Sequence, residues 1–243
     1  MLKNRFLIKS MKYNRNKLYC FSPPVMIATF IIEIGLAAYT LWRYRQNTLA
    51  RLAVALLVCL SLFQLAEYMV CEGSLVGDLT WSHVGFAAIT MLPPLGLHLI
   101  YVLGGATRKR LVYPAYLSAV AFVILFLGTA GALSGHECLG NYVIFQVSPG
   151  VGAWFSAYYY GWLLAGVGMA WYFVRQSKSP VVRRSLMAMT FGYAAFIIPT
   201  AAANMIDPDT IRGIPSIMCG FAVILAITLV AKVLPGMAKP RKS

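Results

Sequence analysis

Seven stretches of apolar residues, each about the length of a membrane-spanning helix, follow one another along this chain and leave little between them. A segment crossing the hydrocarbon core needs roughly 20 predominantly apolar residues, and it must be helical because only then does its backbone satisfy itself. The stretches run over 23–44, 50–72, 79–104, 111–134, 151–175, 183–205 and 213–234. With 60% hydrophobic and only 12% charged residues among 243, the remainder cannot supply the surface of a soluble domain. The expected fold is all-α, a seven-transmembrane-helix bundle over 23–234. A basic N-terminal segment, 1–22, is read as disordered, and 235–243 forms a short basic tail. No internal repeat stands out, which weighs against an inverted-repeat transporter.

The net charge of +14 suggests nucleic acid until its distribution is read. Arg43, Arg45 and Arg51 follow the first stretch, Arg108, Lys109 and Arg110 the third, and Arg175, Lys178, Arg183 and Arg184 the fifth, while Lys232, Lys239, Arg241 and Lys242 close the chain. The acidic residues lie elsewhere. Glu33 and Glu67 are within predicted helices, and Glu72, Asp78, Glu137, Asp207 and Asp209 occupy the alternate loops. Cytoplasmic loops hold the lysines and arginines of membrane proteins, so the N-terminus is expected outside and the C-terminus in the cytoplasm of a bacterial inner membrane. Anionic lipid headgroups are the expected partner of the basic face, and nucleic acid is not. Lys3, Arg5, Lys9, Lys12, Arg15 and Lys17 dissent from this orientation and are outvoted by three loops and a tail. They precede no apolar core of signal-peptide length, so no cleaved signal is expected, and Met11 and Met26 are alternative starts.

Trp42, Tyr44, Tyr68, Trp81, Trp154, Trp171 and Tyr172 fall near the predicted interfaces, where amphipathic rings accumulate. Pro93-Pro94 should kink the third helix, since neither supplies an N–H to the ladder. Gly161, Gly166 and Gly168, and Ala201–Ala203, are small residues of the kind that lets helices approach closely in lipid.

Polar residues at membrane depth are expensive and generally face the bundle interior. Ser61, Gln64, Glu67, Tyr68 and Cys71 follow steps of three and four on one helical face, Glu33 sits within the first helix, and His83, Thr90, His98 and Tyr101 lie along one side of the third. Glu33, Gln64, Glu67, Tyr68, His98 and Tyr101 are the candidate polar pocket between the first three helices. The alternative is an interhelical hydrogen-bond network that fixes packing. Retinal is excluded, because its Schiff base needs a lysine near mid-helix and the seventh stretch has only Lys232 at its end. His83 and His98 are about 22 Å apart at 1.5 Å per residue and cannot share a metal. His136, Glu137 and Cys138 match no ligand spacing, so neither metal nor haem is expected. No nucleophile elbow, phosphate loop or CxxC pair appears, and no enzyme is expected. Cys59 and Cys219 read as packing residues. Cys20, Cys71 and Cys138 map to the oxidising side, and Cys71–Cys138 is the preferred disulfide over pairings with Cys20, which follows the tail.

Trp81, Gly85-Phe86, Leu92-Pro93-Pro94-Leu95 and Leu97, the basic turn Arg108-Lys109-Arg110, and Arg175, Pro180 and Arg183-Arg184 together resemble the seven-helix sensor region at the N-terminus of some bacterial histidine kinases and diguanylate cyclases. There an output domain follows the last helix; here Pro235–Ser243 does. The resemblance implies a receptor-like or accessory membrane protein that acts by binding another membrane or signalling protein. The alternatives are a structural subunit of a larger membrane complex binding lipid or pigment, and an intramembrane enzyme or carrier using Glu33, Glu67 and His98.

Overall fold

The computed structural model describes residues 23–45, 47–73, 78–106, 110–129, 131–138, 143–206, 214–238 and 240. The N-terminal segment 1–22 with Cys20, the tail residues Lys239, Arg241, Lys242 and Ser243, Arg108 and Lys109, and Asp207 and Asp209 lie outside them. Helix α1 (Pro23–Arg43) buries a single stripe, Met26, Thr29, Glu33, Ala37 and Thr40, at steps of three and four. Its other faces carry Ile31, Leu41 and Trp42 outward. The helix is apolar around most of its girth and keeps its polar residues on the packed side, the inverse of a helix in water.

Helix α2 (Thr48–Glu72) starts at Asn47, whose side chain accepts from the Ala50 N–H at 2.9 Å, and it stops at Gly73, whose φ of 83° favours glycine. It packs against α1, α3 (Asp78–Thr90), α4 (Leu92–Leu103) and α8 (Ile214–Thr228). The third stretch breaks at Met91 into α3 and α4, where Pro93 and Pro94 withhold two N–H donors. Pro94 leaves the Thr90 carbonyl without its helical partner, and the Tyr158 hydroxyl donates to it at 2.6 Å. That one bond joins the kink to α6 (Pro149–Gln176).

Helix α5 (Val112–Gly128) turns Tyr113, Leu117, Ile124 and Leu127 outward. The fourth stretch was expected to run to 134, but the helix ends at Gly128. Thr129 and Gly131 are poor helix formers, and the chain then enters an antiparallel hairpin, β1 (Leu133–Cys138) with β2 (Val143–Val147). The chain is predominantly helical, as expected, and the segment between the fourth and fifth stretches adds one two-stranded hairpin to the bundle.

Helix α7 (Pro180–Ile206) continues through Pro199 without a break. Helix α8 (Ile214–Thr228) widens into a π turn over Leu229–Val233 before the short α9 (Leu234–Met237). Pro235 clashes with regular α-helical winding in the preceding turn, and the wider turn accommodates it. α8 packs on α7, α1 and α2, which brings the last helices of the chain against the first two. At the tail end, Pro240 forms a bridge with Tyr44 beyond α1.

Pro23–Arg43, Thr48–Glu72, Thr80–Leu103, Pro180–Ile206 and Ile214–Met237 are long and apolar enough to cross a membrane. α5 has 17 residues, and α6 is diluted by its tyrosines, tryptophans and glycines. Close packing rests on different glycines from those the sequence suggested. A Cβ at Gly104 would meet the Phe173 ring at 2.6 Å, and one at Gly192 would meet Leu225 at 2.5 Å. Gly166 lies against Ile100 and Tyr193, but a Cβ at Gly161 or Gly168 would meet nothing within 4 Å. Ala201–Ala203 stay exposed or half-buried, so neither they nor those two glycines form a contact seam.

Candidate functional site

The buried stripe of α1 meets α2 through polar groups. Thr29 donates to the Gln64 side-chain oxygen at 3.1 Å, and the Glu33 carboxyl, one turn on, is within electrostatic reach of Glu67. Glu67 accepts a hydrogen bond from Ser216, in the first turn of α8. The Ser216 oxygen in turn accepts from the Val143 N–H of β2 at 3.2 Å. A polar seam therefore runs from the hairpin through α8 to α2 and α1. Glu33, Gln64, Glu67 and Ser216 are all at most 2% exposed. Both Glu33 carboxyl oxygens, the Gln64 amide nitrogen and one Glu67 oxygen have no hydrogen-bond partner. Each such group costs on the order of 1–3 kcal/mol, which the surrounding apolar packing must offset.

The other residues expected in the pocket lie apart from this seam. Tyr68 is half-buried against the core. His98 turns to α5, 3.3 Å from the Tyr116 hydroxyl with the rings edge to face, and Tyr101 packs on Phe173 of α6. His83 contacts the Phe126 carbonyl at the end of α5. Steps of three and four along the third stretch put these residues on one side, but the break at Met91 and the position of α5 and α6 give that side different neighbours. Among the described residues, no three His, Cys, Asp or Glu side chains gather as a metal site requires.

Above the seam lies a cavity of about 480 Å³ that the sequence did not disclose. The hairpin forms one wall, the first turns of α6 and α8 the others, and Phe86 and Ile89 of α3 close it from the side. Phe145 holds the hairpin down by packing against Phe63 and Phe86, with ring centroids 6.0 and 5.2 Å away. Phe155 continues the aromatic cluster onto Phe86 and Phe126. Met218 and Cys219 form the base, and Cys219 lies within electrostatic reach of both Glu67 and Glu33. Seam and cavity meet at α8, where Ser216 of the seam follows the cavity-lining Pro215.

A disulfide fixes this geometry. Cys71, at the last turn of α2, is bonded to Cys138, at the end of β1, with Cα atoms 5.7 Å apart. The pairing expected from the sequence is the one observed. The hairpin is therefore attached at three points: covalently to α2, by Val143 to α8, and by Phe145 to the core.

A cavity of this size suits a small organic molecule, since such sites span about 300–1,000 Å³ and are mostly apolar with a few placed polar groups. A search of the curated proteins finds no match. The family described as the N-terminal 7TM region of histidine kinase matches residues 25–234, from the third residue of α1 to the first of α9. Such a region is a non-catalytic input domain, and the chain is a multi-pass membrane protein of that sensor type. This chain belongs to the family of histidine-kinase N-terminal 7TM regions.

Proposed function

We propose that this protein is a receptor-like module of the bacterial inner membrane, not an enzyme, and that it acts through a partner protein. In this reading the chain crosses the membrane seven times. α3 with α4 forms one crossing, α8 with α9 another, and α5 and α6 span despite the shortness of one and the aromatic content of the other. The N-terminus is outside and the C-terminus cytoplasmic, with the hairpin and its disulfide on the outer, oxidising side. Arg43, Arg45 and Arg51 share the opposite end with Pro240, which agrees with that orientation. Ligand enters the cavity from outside, and Glu33, Gln64 and Glu67 form the polar layer beneath it.

The observation that carries this reading is the family match over the whole bundle. One tagged chain tests it. A reporter that fluoresces only in the cytoplasm is fused after Ser243 and also serves as the capture handle in mild detergent, with and without crosslinking. The expected result is fluorescence together with a signalling protein captured mainly after crosslinking. A dark reporter inverts the orientation. A stoichiometric set of membrane proteins surviving size exclusion would instead make the chain a subunit of a larger complex.

A further inference from the structure

We infer that the cavity beside the hairpin binds an organic ammonium group carried on an apolar body. This rests on the receptor reading above and names the ligand class of that same site. Phe86, Phe145, Phe155, Tyr159 and Tyr160 supply the aromatic surface, and Glu137 is the single charge. Among the described residues, the lining has no lysine, arginine or histidine. Glu137 pairs across the hairpin with Ile144, and Gly135 with Gln146, so Glu137, Ile144 and Gln146 share one hairpin face, and Phe145, on the other face, also lines the cavity. The side chain of Glu137 is exposed, so its carboxylate stays hydrated at the rim and is available to an entering ligand.

A rim carboxylate above aromatic walls favours one sign of charge. The ring faces attract a cation through their quadrupoles, the carboxylate adds a direct ion pair, and an apolar remainder gains by leaving water. A carboxylate or phosphate ligand would meet Glu137 with no compensating base.

The test uses the full chain in phosphatidylglycerol nanodiscs and three probes of one shape: phenethylamine, 2-phenylethanol and 3-phenylpropionate. Binding is read by saturation-transfer NMR and calorimetry. Phenethylamine should bind about tenfold more tightly than the alcohol, and the anion most weakly. Glu137→Gln, at an exposed position, should remove most of the preference for the amine and leave alcohol affinity within about twofold. Ser156→Trp, which fills the cavity, should abolish binding of all three. Competition by added phosphatidylethanolamine would identify the ammonium group as a lipid headgroup, and no competition would identify it as a dissolved amine. An amine that binds no better than the alcohol, or an unchanged preference in Glu137→Gln, overturns the ammonium assignment. In that case, alcohol binding lost in Ser156→Trp would leave the cavity standing as a ligand site. If no probe binds at millimolar concentration, the cavity is not a site of this kind. The receptor reading then stands or falls separately, on capture of its partner.

Discussion

The two ends of the bundle hold themselves together by opposite means. At the hairpin end the helices stand far enough apart to leave a cavity, and what keeps it in shape is attachment: one disulfide, one hydrogen bond to Ser216 and a few aromatic contacts. At the tail end of α4 and along α7 the chain relies on close contact. Gly104 lets the Phe173 ring lie against the backbone, and Gly192 does the same for Leu225. A cavity cannot be stabilised by filling it, so it is stabilised by its frame. A region without one is filled, because in lipid close packing is what drives helices together.

That contrast can be broken experimentally. The largest effect is expected from Cys71→Ser with Cys138→Ser. The cross-link spans 67 residues and contributes about 4 kcal/mol on the chain-entropy model, an upper bound because helices inserted in a membrane do not become random chain. Thermal unfolding in detergent should show a clear fall for the variant and the same fall for the native protein under reductant. No change in either would mean that the frame is not what holds the cavity end.

Away from the hairpin, Gly104→Ala and Gly192→Ala should each cost about 1–3 kcal/mol through overcrowding, whereas Gly161→Ala, with open space around it, should be neutral or slightly stabilising. Equal effects at all three positions would mean that close contact at Gly104 and Gly192 is not what holds those helices.

The smallest effect sharpens the role of the seam. Glu67→Gln keeps the shape of the side chain and its bond to Ser216, so unfolding should shift by no more than on the order of 1 kcal/mol. If the seam serves only packing, partner capture should be unchanged by this substitution. Altered capture at nearly unchanged stability would tie Glu67 to signalling.

The sequence made the helices legible because a membrane crossing is a statement about length and apolarity, which each stretch carries by itself. The disulfide was legible too, since orientation left few cysteines on one side. The hairpin was not. Val143–Val147 is apolar at four of five positions, and Leu133–Cys138 mixes glycine with polar residues, so neither strand alternates clearly. The glycines at 128, 131 and 135 were the available hint that the fourth helix ended early. The cavity is a property of α3, α6, α8 and the hairpin together, and no single segment encodes it. Ser216 illustrates the difficulty most sharply. In the sequence it is an ordinary serine after Ile214-Pro215, and only the arrival of β2 on one side and Glu67 on the other makes it a junction. His98 and Tyr101 share a helical face, but that face meets Tyr116 of α5 and Phe173 of α6.

The π turn at Leu229–Val233 has a geometric consequence for whatever continues beyond α8. A π turn holds one residue more than the α-helical turn it replaces, so the helix carries a stored residue of slack close to its exit. Were that residue drawn into regular winding, everything after Val233 would swing by about 100° around the axis and advance by about 1.5 Å. The heading of the emerging chain is therefore set like the hand of a combination dial, one click per residue, by five residues between Thr228 and Leu234.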